Sequence, residues 1–247
     1  MYAMDGLVSL ESEVLDLGSN KFGQMNPTKA QAQRPLQNSF GFASLPDHIQ
    51  QKIAQNVKQR ILLNKAQRFK PSSGVSLYLV EFGIVKTFAI NEDGKERIID
   101  FYLPGEALGF DVIHSEKYNY LIFAVQPTEL CEIPVTQLLS IVNNQPEIQH
   151  QLLKIISQRM QAGAYVTYTS AESRLIGFLL EFAKRVGSYD FRLPLTREEI
   201  GNYLGLASET ITRVMTRLQS RHLIVIDNKQ VNILKPEQLQ QLITSKN

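Results

Sequence analysis

The sequence predicts an α+β protein: a small β domain, a long amphipathic helix and a C-terminal helix-turn-helix followed by a β wing. Short β-branched and aromatic runs occupy much of residues 75–133. From residue 145 the apolar spacing changes to steps of three and four, as in an amphipathic helix. Two helix-start patterns and a glycine turn follow near the carboxyl end. At 247 residues the chain is long enough for these parts to share a stable core.

Composition excludes several classes of protein. Hydrophobic residues make up 43% and charged residues 20%, an ordinary globular balance, and the net charge is only +2. The single cysteine, Cys131, excludes an intramolecular disulfide framework and a four-cysteine metal site within one chain. No apolar run is long enough to span a bilayer, and the first residues lack the order of a secretion signal. We therefore expect a soluble, cytoplasmic protein without a membrane partner.

The first two predicted segments differ in composition. Residues 1–44 begin acidic and continue rich in Gln, Asn, Pro and Ser, which predicts a flexible N-terminal arm. Residues 45–143 contain short strands separated by turns at residues 91–94 and 104–105. Strands of this length and spacing indicate a β-sandwich or jelly roll, whose strand order periodicity does not determine.

Residues 144–169 are predicted to form one long helix with a coiled-coil-like seam. The predicted seam residues are Ile148, Leu152, Ile155, Ile156, Met160 and Gly163. Two interpretations remain open: the helix packs on its own β domain, or it pairs with a second copy as a homodimer.

Residues 170–247 are predicted to form the last domain. Thr169 and Glu172 have capping-box spacing and precede a helix that Gly187 ends. Thr196 and Glu199 form a second such pair, and Gly205 follows as the turn before another helix. Their shared apolar residues are Ile200, Leu204, Leu206, Ile211 and Val214. This is the helix-turn-helix plan, in which the second helix lies in the major groove of double-stranded DNA.

The second helix carries side chains suited to reading bases. Glu209, Thr212 and Arg213 share one face, where arginine can bind guanine, a carboxylate can accept from cytosine and a threonine methyl can contact thymine. Glu209 and Arg213 could instead form a solvated i,i+4 ion pair. Arg217 and Arg221 continue toward the DNA backbone, and Lys229 lies at the tip of a wing predicted over residues 223–234. The remaining predicted DNA contacts are Thr196, Arg197, Ser208 and Thr210.

Residues 195–206, followed by Glu209-Thr-Ile-Thr-Arg213, resemble the CRP/FNR superfamily of bacterial regulators, close to its FNR branch. Residues 108–111 and 131–134 also resemble that branch, and the similarity covers roughly residues 60–235. The resemblance implies a cyclic-nucleotide-binding-type jelly roll, a dimerisation helix and a winged helix-turn-helix. It further implies a homodimer that binds palindromic promoters and recruits RNA polymerase, as activators do, with residues 91–95 matching a polymerase-contacting loop.

Residue by residue, Glu209 and Arg213 match the family's base-reading pair. Thr212 stands where FNR-type readers have serine, which favours an FNR-like TTGAT-type half-site. Ala207 replaces the usual hydroxyl residue at the helix start, so either Ser208 caps this helix or the cap is weak.

Two departures concern the input signal. Oxygen sensors of the FNR type hold a [4Fe–4S] cluster with three amino-terminal cysteines and one at the position of Cys131, and those three are absent. Cyclic-AMP receptors hold the phosphate with a Gly-Glu-Leu turn and an Arg-Ser pair, whereas residues 109–125 contain no arginine. We therefore expect no cofactor, and predict a regulator whose input has been lost or replaced.

Two other functions are compatible with parts of the sequence. A regulator could sense an unknown small molecule in the jelly roll. A cupin-like metalloenzyme would need clustered histidine and carboxylate ligands, whereas His48, His114, His150 and His222 are dispersed. We expect no catalytic site and no metal site.

Overall fold

The computed structural model describes residues 41–71, 74–115, 117–143, 145–161, 164–168 and 170–244. The predicted arm, residues 1–44, therefore lies almost wholly outside the described residues. Of that segment, the 3₁₀ helix Gly41–Ser44 is described, and Phe42 is buried.

In the described residues, eight strands form the β domain. They are β1 Gln59–Leu63, β2 Arg68–Phe69, β3 Ser76–Phe82, β4 Val85–Ile90, β5 Glu96–Tyr102, β6 Ala107–Leu108, β7 Leu121–Ala124 and β8 Thr128–Pro134. They build two four-stranded antiparallel sheets with the orders β1-β8-β3-β6 and β2-β7-β4-β5. Consecutive strands alternate between the sheets except at the β4–β5 hairpin, whose turn closes with a bond from the Gly94 amide to the Asn91 carbonyl. The expected β-roll is confirmed.

Aromatic and aliphatic side chains fill the space between the sheets. Tyr78 is fully buried there, with Phe69 and Tyr118 at ring-centroid distances of 5.5 and 5.9 Å. Tyr118 donates a hydrogen bond to the Ser76 carbonyl, and Tyr120 donates to Asp111. Large side chains therefore occupy the interior of the roll.

Within the described part of the chain, four helices flank the roll: α1 Asp47–Gln55, α2 Val112–Ser115, α3 Val135–Val142 and α4 Pro146–Gln161. The sequence pattern of residues 45–143 predicts short strands and does not indicate α1, α2 or α3. Helix α3 follows β8 directly and packs on α1 and α4, which closes one side of the roll.

Helix α4 differs from the long helix expected over residues 144–169. Its described part ends at Gln161, and Ala164–Thr167 form a separate 3₁₀ turn. Ile148 and Ile155 are only 4% and 5% exposed and belong to the hydrophobic cluster of their own β domain, with Leu152 packed against it. Those two residues are therefore unavailable as an exposed seam. Gly163 lies outside the described residues.

Over residues 170–244, which the structure describes, the C-terminal domain contains four helices and a three-stranded sheet. They are α5 Ala171–Val186, β9 Asp190–Arg192, α6 Arg197–Leu204, α7 Ser208–Ser220, β10 Ile224–Asp227, β11 Gln230–Ile233 and α8 Pro236–Thr244. The predicted wing hairpin is present as β10 and β11, and β9 adds a third strand that the sequence had not indicated. Gly187, at φ 76°, ends α5 as expected.

One hydrophobic cluster joins the two domains. Ile98, Phe101 and Leu103 of the roll belong to the same buried cluster as the apolar faces of α5, α6 and α7. Phe101 packs edge-on against Tyr203 of α6, at a ring-centroid distance of 5.1 Å. The C-terminal domain is therefore packed onto β5, and these contacts with the roll determine its position.

Candidate nucleic-acid interface

Helix α6 begins and ends as its sequence predicts. The Thr196 hydroxyl accepts from the Glu199 amide, and the Glu199 carboxylate accepts from the Thr196 amide, a complete capping box. Gly205 adopts a left-handed conformation, at φ 66°, which favours glycine and turns the chain toward α7. A Cβ on Gly201 would stand 2.5 Å from the Leu206 carbonyl oxygen, so this position also requires glycine for the tight turn.

Helix α7 lacks a side-chain cap. Its N-cap residue is Ala207, which forms no capping hydrogen bond, and Ser208 is already the first helical residue. The interpretation of Ser208 as the cap is therefore wrong, and the weak-cap alternative is confirmed, because alanine has no oxygen to accept from the free amides. Those amides remain available to an anion such as a phosphate.

The two faces of α7 are cleanly divided. Ile211, Val214, Met215 and Leu218 are buried against α5 and α6. Glu209, Thr212 and Arg213 are exposed on the opposite side. The Thr212 hydroxyl donates to the Ser208 carbonyl, at 3.0 Å, so its own hydrogen is engaged within the helix. Among the salt bridges of the described residues there is no Glu209–Arg213 pair, so both side chains can reach a ligand.

Four other predicted contacts lie around this face. Ser208 and Thr210 are half-buried in the first turn of α7. Thr196 is exposed, with its hydroxyl engaged in the capping box. Arg197 is half-buried, and burial lowers the pKa of its guanidinium. These four residues therefore lie at or beside helix starts.

Lys229 lies at the turn between β10 and β11, next to Asn228 at φ 53°. Its ammonium donates to the Pro194 carbonyl at 2.8 Å, so the side chain folds back on the domain although the residue is exposed. A phosphate contact by Lys229 would have to replace or share that bond.

Arg217 and Arg221 face an acidic residue of α5. The Glu172 carboxylate oxygen lies 3.9 Å from an Arg217 guanidinium nitrogen and 3.8 Å from one of Arg221. Thr169 of the predicted Thr169–Glu172 capping box lies outside the described residues. The N-cap of α5 is Ser170, which accepts from the Ser173 amide, so Thr169 does not hold the predicted N-cap position. Glu172 is instead buried beside the two arginines.

The opposite side of the domain docks on the roll through α6. Lys86 of β4 forms a 2.8 Å ion pair with Glu199, and its ammonium also lies 4.4 Å from the ring centroid of Phe123. Burial alone would raise the pKa of Glu199, but hydrogen bonds from Lys86 and the Thr196 backbone outweigh it and lower that pKa. Glu199 thus serves both the capping box and the domain contact.

Two further contacts fix the same side. The Asn202 amide donates to the Glu96 carbonyl at 2.8 Å and accepts from the Ile98 amide at 2.7 Å. Arg185 of α5 forms a buried two-bond pair with Glu106, at 2.7 and 2.5 Å. Burial opposes the charge of Arg185, but the neighbouring carboxylate raises the pKa of its guanidinium.

Sequence reasoning missed these docking residues. Lys86 carried a signal: a charged residue within an apolar strand requires a partner if that strand is buried. Glu106 follows the Pro104-Gly105 turn, and nothing in its sequence neighbourhood indicates a buried partner. Asn202 resembles any polar residue of an amphipathic helix.

The described residues contain no group of three or more His, Cys, Asp or Glu side chains placed to hold a metal ion. Cys131 is buried in β8, and burial raises the pKa of its thiol to about 11. Iron–sulfur ligands are thiolates, so a lone thiol in this environment does not fit a four-cysteine cluster. Among the described helices, none has the length and apolar character of a transmembrane span.

Comparison with known families supports both domains. The cyclic nucleotide-binding domain family matches residues 70–145, and the Crp-like helix-turn-helix domain family matches residues 173–242. The transcriptional activator protein Anr of Pseudomonas protegens is 36% identical over 173 residues, covering 66% of this chain and 71% of Anr. The regulatory protein HlyX of Actinobacillus pleuropneumoniae is 34% identical, covering 66% and 72%.

Solved structures share the fold. FixK2 from Bradyrhizobium japonicum aligns with a TM-score of 0.65 and 21% identity over 74% of this chain and 96% of its own. A CooA mutant from Carboxydothermus hydrogenoformans aligns with a TM-score of 0.60 and 16% identity over 74% and 87%. These two alignments show the fold. The similarity to Anr and HlyX, together with the two matched domain families, shows that the chain belongs to the CRP/FNR superfamily, as a DNA-binding transcription regulator.

Proposed function

We propose that this regulator is a homodimer that reads a palindromic, FNR-like TTGAT-type sequence through α7. The observation that carries the proposal is the exposed row Glu209, Thr212 and Arg213 on a helix whose other face is buried. Arginine can bind guanine with two hydrogen bonds, and the carboxylate can accept from cytosine. A chromosomal partner implies a cytoplasmic location.

Binding to DNA is the direct test. Purified full-length protein is titrated with a duplex carrying two TTGAT half-sites and with a scrambled duplex at physiological salt. A preference of about a thousandfold or more is expected of a specific regulator. Equal affinity for the two duplexes would overturn the half-site assignment.

Two protomers are needed to read a palindrome, and α4 is the proposed contact. Leu153 and Met160 are 64% and 81% exposed and lie two turns apart on one side of this helix, with Ile156 half-buried between them. Ile156 and Met160 belong to the seam predicted from the sequence. Leu153 is added to it, and Ile148 and Ile155 are left out because they are buried in their own domain.

The dimer is tested by sedimentation in air without added ligand. Wild-type protein is expected to be dimeric, and the variant carrying L153E and M160E monomeric, because charges would be buried at the contact. L139E is the matched control, since Leu139 is an exposed leucine of α3. A wild-type monomer, or a double variant that stays dimeric, would contradict the α4 contact.

DNA binding is also proposed to be independent of an iron–sulfur cluster, because the chain's one cysteine is a buried thiol. Operator affinity should be the same in air and after anoxic incubation with iron and sulfide. An increase accompanied by visible charge-transfer absorption would contradict this.

The regulator is further proposed to activate transcription by contacting RNA polymerase. Anr carries the name of a transcriptional activator. The turn of residues 91–95 is exposed at the end of the β4–β5 hairpin, where a partner could reach it. D93A should lower transcription from an operator-bearing promoter while leaving operator affinity unchanged; unchanged transcription would remove this turn from the proposal.

A further inference from the structure

The Glu172 carboxylate lies near two arginines, Arg217 of α7 and Arg221 at the C-cap of the same helix. Its side chain is 7% exposed, whereas the side chains of Arg217 and Arg221 are 52% and 45% exposed. Arg221 follows Arg217 by four residues and its amide donates to the Arg217 carbonyl at 3.2 Å, so both side chains start from the same flank at the end of α7. A buried anion thus faces two cations that remain accessible to solvent.

The distances define the kind of interaction. At 3.9 and 3.8 Å, the contacts from Glu172 to Arg217 and Arg221 exceed the 2.7–2.9 Å or so of a hydrogen-bonded ion pair. The attraction is therefore mainly Coulombic and leaves guanidinium donors available. Because the carboxylate is buried, salt screens this attraction less than it screens charges in open solvent.

DNA phosphates would compete with Glu172 for the same two arginines. An arginine that contacts a phosphate displaces condensed counterions, and each such contact makes binding more dependent on salt. A fixed anion beside Arg217 and Arg221 reduces the charge that they present to the backbone. It also repels an approaching phosphate at short range.

We propose that Glu172 is a positioning residue that acts as an internal counterion and limits the hold of Arg217 and Arg221 on the DNA backbone. The inference rests on the proposed function, because it assumes that α7 enters the major groove. It concerns affinity that is independent of sequence and leaves base reading to Glu209 and Arg213. Its consequence is weaker occupancy of random DNA, to which a regulator is exposed in large excess.

The test measures affinity for operator and scrambled duplexes over a salt series. E172Q keeps the shape of the side chain and removes its charge. We expect about fivefold tighter binding to both duplexes, and a slope of log affinity against log salt steeper by about one per protomer. E147Q, at an exposed position of α4 outside the C-terminal domain, makes the same change in net charge and should leave the slope unaltered.

The outcomes separate the two proposals. If the wild type does not prefer the operator, the proposed function fails. If the wild type does prefer it but E172Q matches E147Q in affinity and slope, only the role of Glu172 fails.

A surface variant keeps the inference testable if E172Q does not fold. If Glu172 did not offset the charges of Arg217 and Arg221, the double variant R217Q/R221Q would lose two full contacts to DNA phosphates. The slope of log affinity against log salt would then flatten by about 1.8 per protomer. We expect a clearly smaller change, because Glu172 already offsets part of both charges. A change of the full size would overturn the inference.

Discussion

Helices α6 and α7 are neighbours in one motif, yet the protein uses their polar side chains in opposite ways. On α6, Glu199 and Asn202 are bound to β4 and β5 of the roll. On α7, Glu209 and Arg213 extend into solvent. Helix α6 is docked and α7 is the proposed reading helix, so the roll can determine where α7 is held without covering it.

Two buried glutamates of the protein, each next to arginine, show the same contrast. Glu106 and Arg185 are each about 3% exposed and share two short hydrogen bonds. Glu172 is buried, but its arginines are half-exposed and lie beyond hydrogen-bond distance. The Glu106–Arg185 pair holds the two domains together, whereas Arg217 and Arg221 keep their guanidinium groups accessible at the surface. Variants on the docked side should therefore change stability, and variants on the reading side should change DNA binding.

The largest expected effect is on the docked side. E106Q leaves the Arg185 cation buried without its counterion, which should lower the free energy of unfolding by about 3–5 kcal/mol. Denaturant unfolding measures this loss. E129Q is the control, because its partner Arg60 is half-exposed and such a pair contributes only about 0–1 kcal/mol. Equal losses for E106Q and E129Q would show that the buried pair does not hold the domains.

On the reading side, R213A should weaken operator binding by about 1–3 kcal/mol and leave scrambled DNA and unfolding almost unchanged. The reason is that an exposed side chain loses a base contact but no internal partner. R97A, an exposed arginine of β5, is the control. Equal losses on operator and scrambled duplex would assign Arg213 to the DNA backbone instead.

A smaller effect is expected from protonation of Glu199. Its pKa is lowered in the folded state, so the stabilisation is fully present above the ordinary glutamate pKa of about 4.3 and is lost as pH falls through the lowered value. E199Q can keep the capping box but not the ion pair with Lys86. Both side chains are largely buried, so the loss should lie between that of an exposed pair and that of a fully buried one, at about 1–2 kcal/mol at neutral pH.

Thermal unfolding between pH 3 and 7 measures this dependence. The curve for E199Q should be flatter than that of the wild type, though not level, because the pKa of Glu132 is lowered as well. Parallel curves for the two proteins would indicate that Lys86 does not stabilise the Glu199 anion.

The smallest effect is expected at the wing. K229A should weaken operator and scrambled duplexes alike, by about twofold or less, with a slightly flatter salt dependence. The ammonium is already bonded to the Pro194 carbonyl, so little is lost. A loss confined to the operator would show that Lys229 contacts a base.

The sequence predicted local features well because their causes are local. The capping box of Thr196 and Glu199, the turn at Gly205 and the strands around residues 91–94 are each determined within a few residues. The buried face of α7 followed from its spacing of apolar residues.

Contacts between distant segments could not be predicted in this way. Lys86 and Glu199 are 113 residues apart, and no local pattern links them. Glu172 has the spacing of a capping residue, but Ser170 supplies the cap and tertiary packing places Glu172 beside α7. The periodicity of α4 identified its apolar residues, yet it did not show that Ile148 and Ile155 face their own domain.

Strand β5 lies at the edge of its sheet, where unpaired backbone groups invite pairing with a strand from another molecule. The Asn202 side chain occupies two of those groups, at Glu96 and Ile98, much as another strand would. The neighbouring Ile99 is 47% exposed. Without α6, the edge of β5 would therefore present unpaired backbone groups next to an apolar side chain, to which a strand of another molecule could pair. The first helix of the DNA-binding motif therefore also shields the β domain from self-association, and undocking it would expose the protein to aggregation as well as to loss of binding.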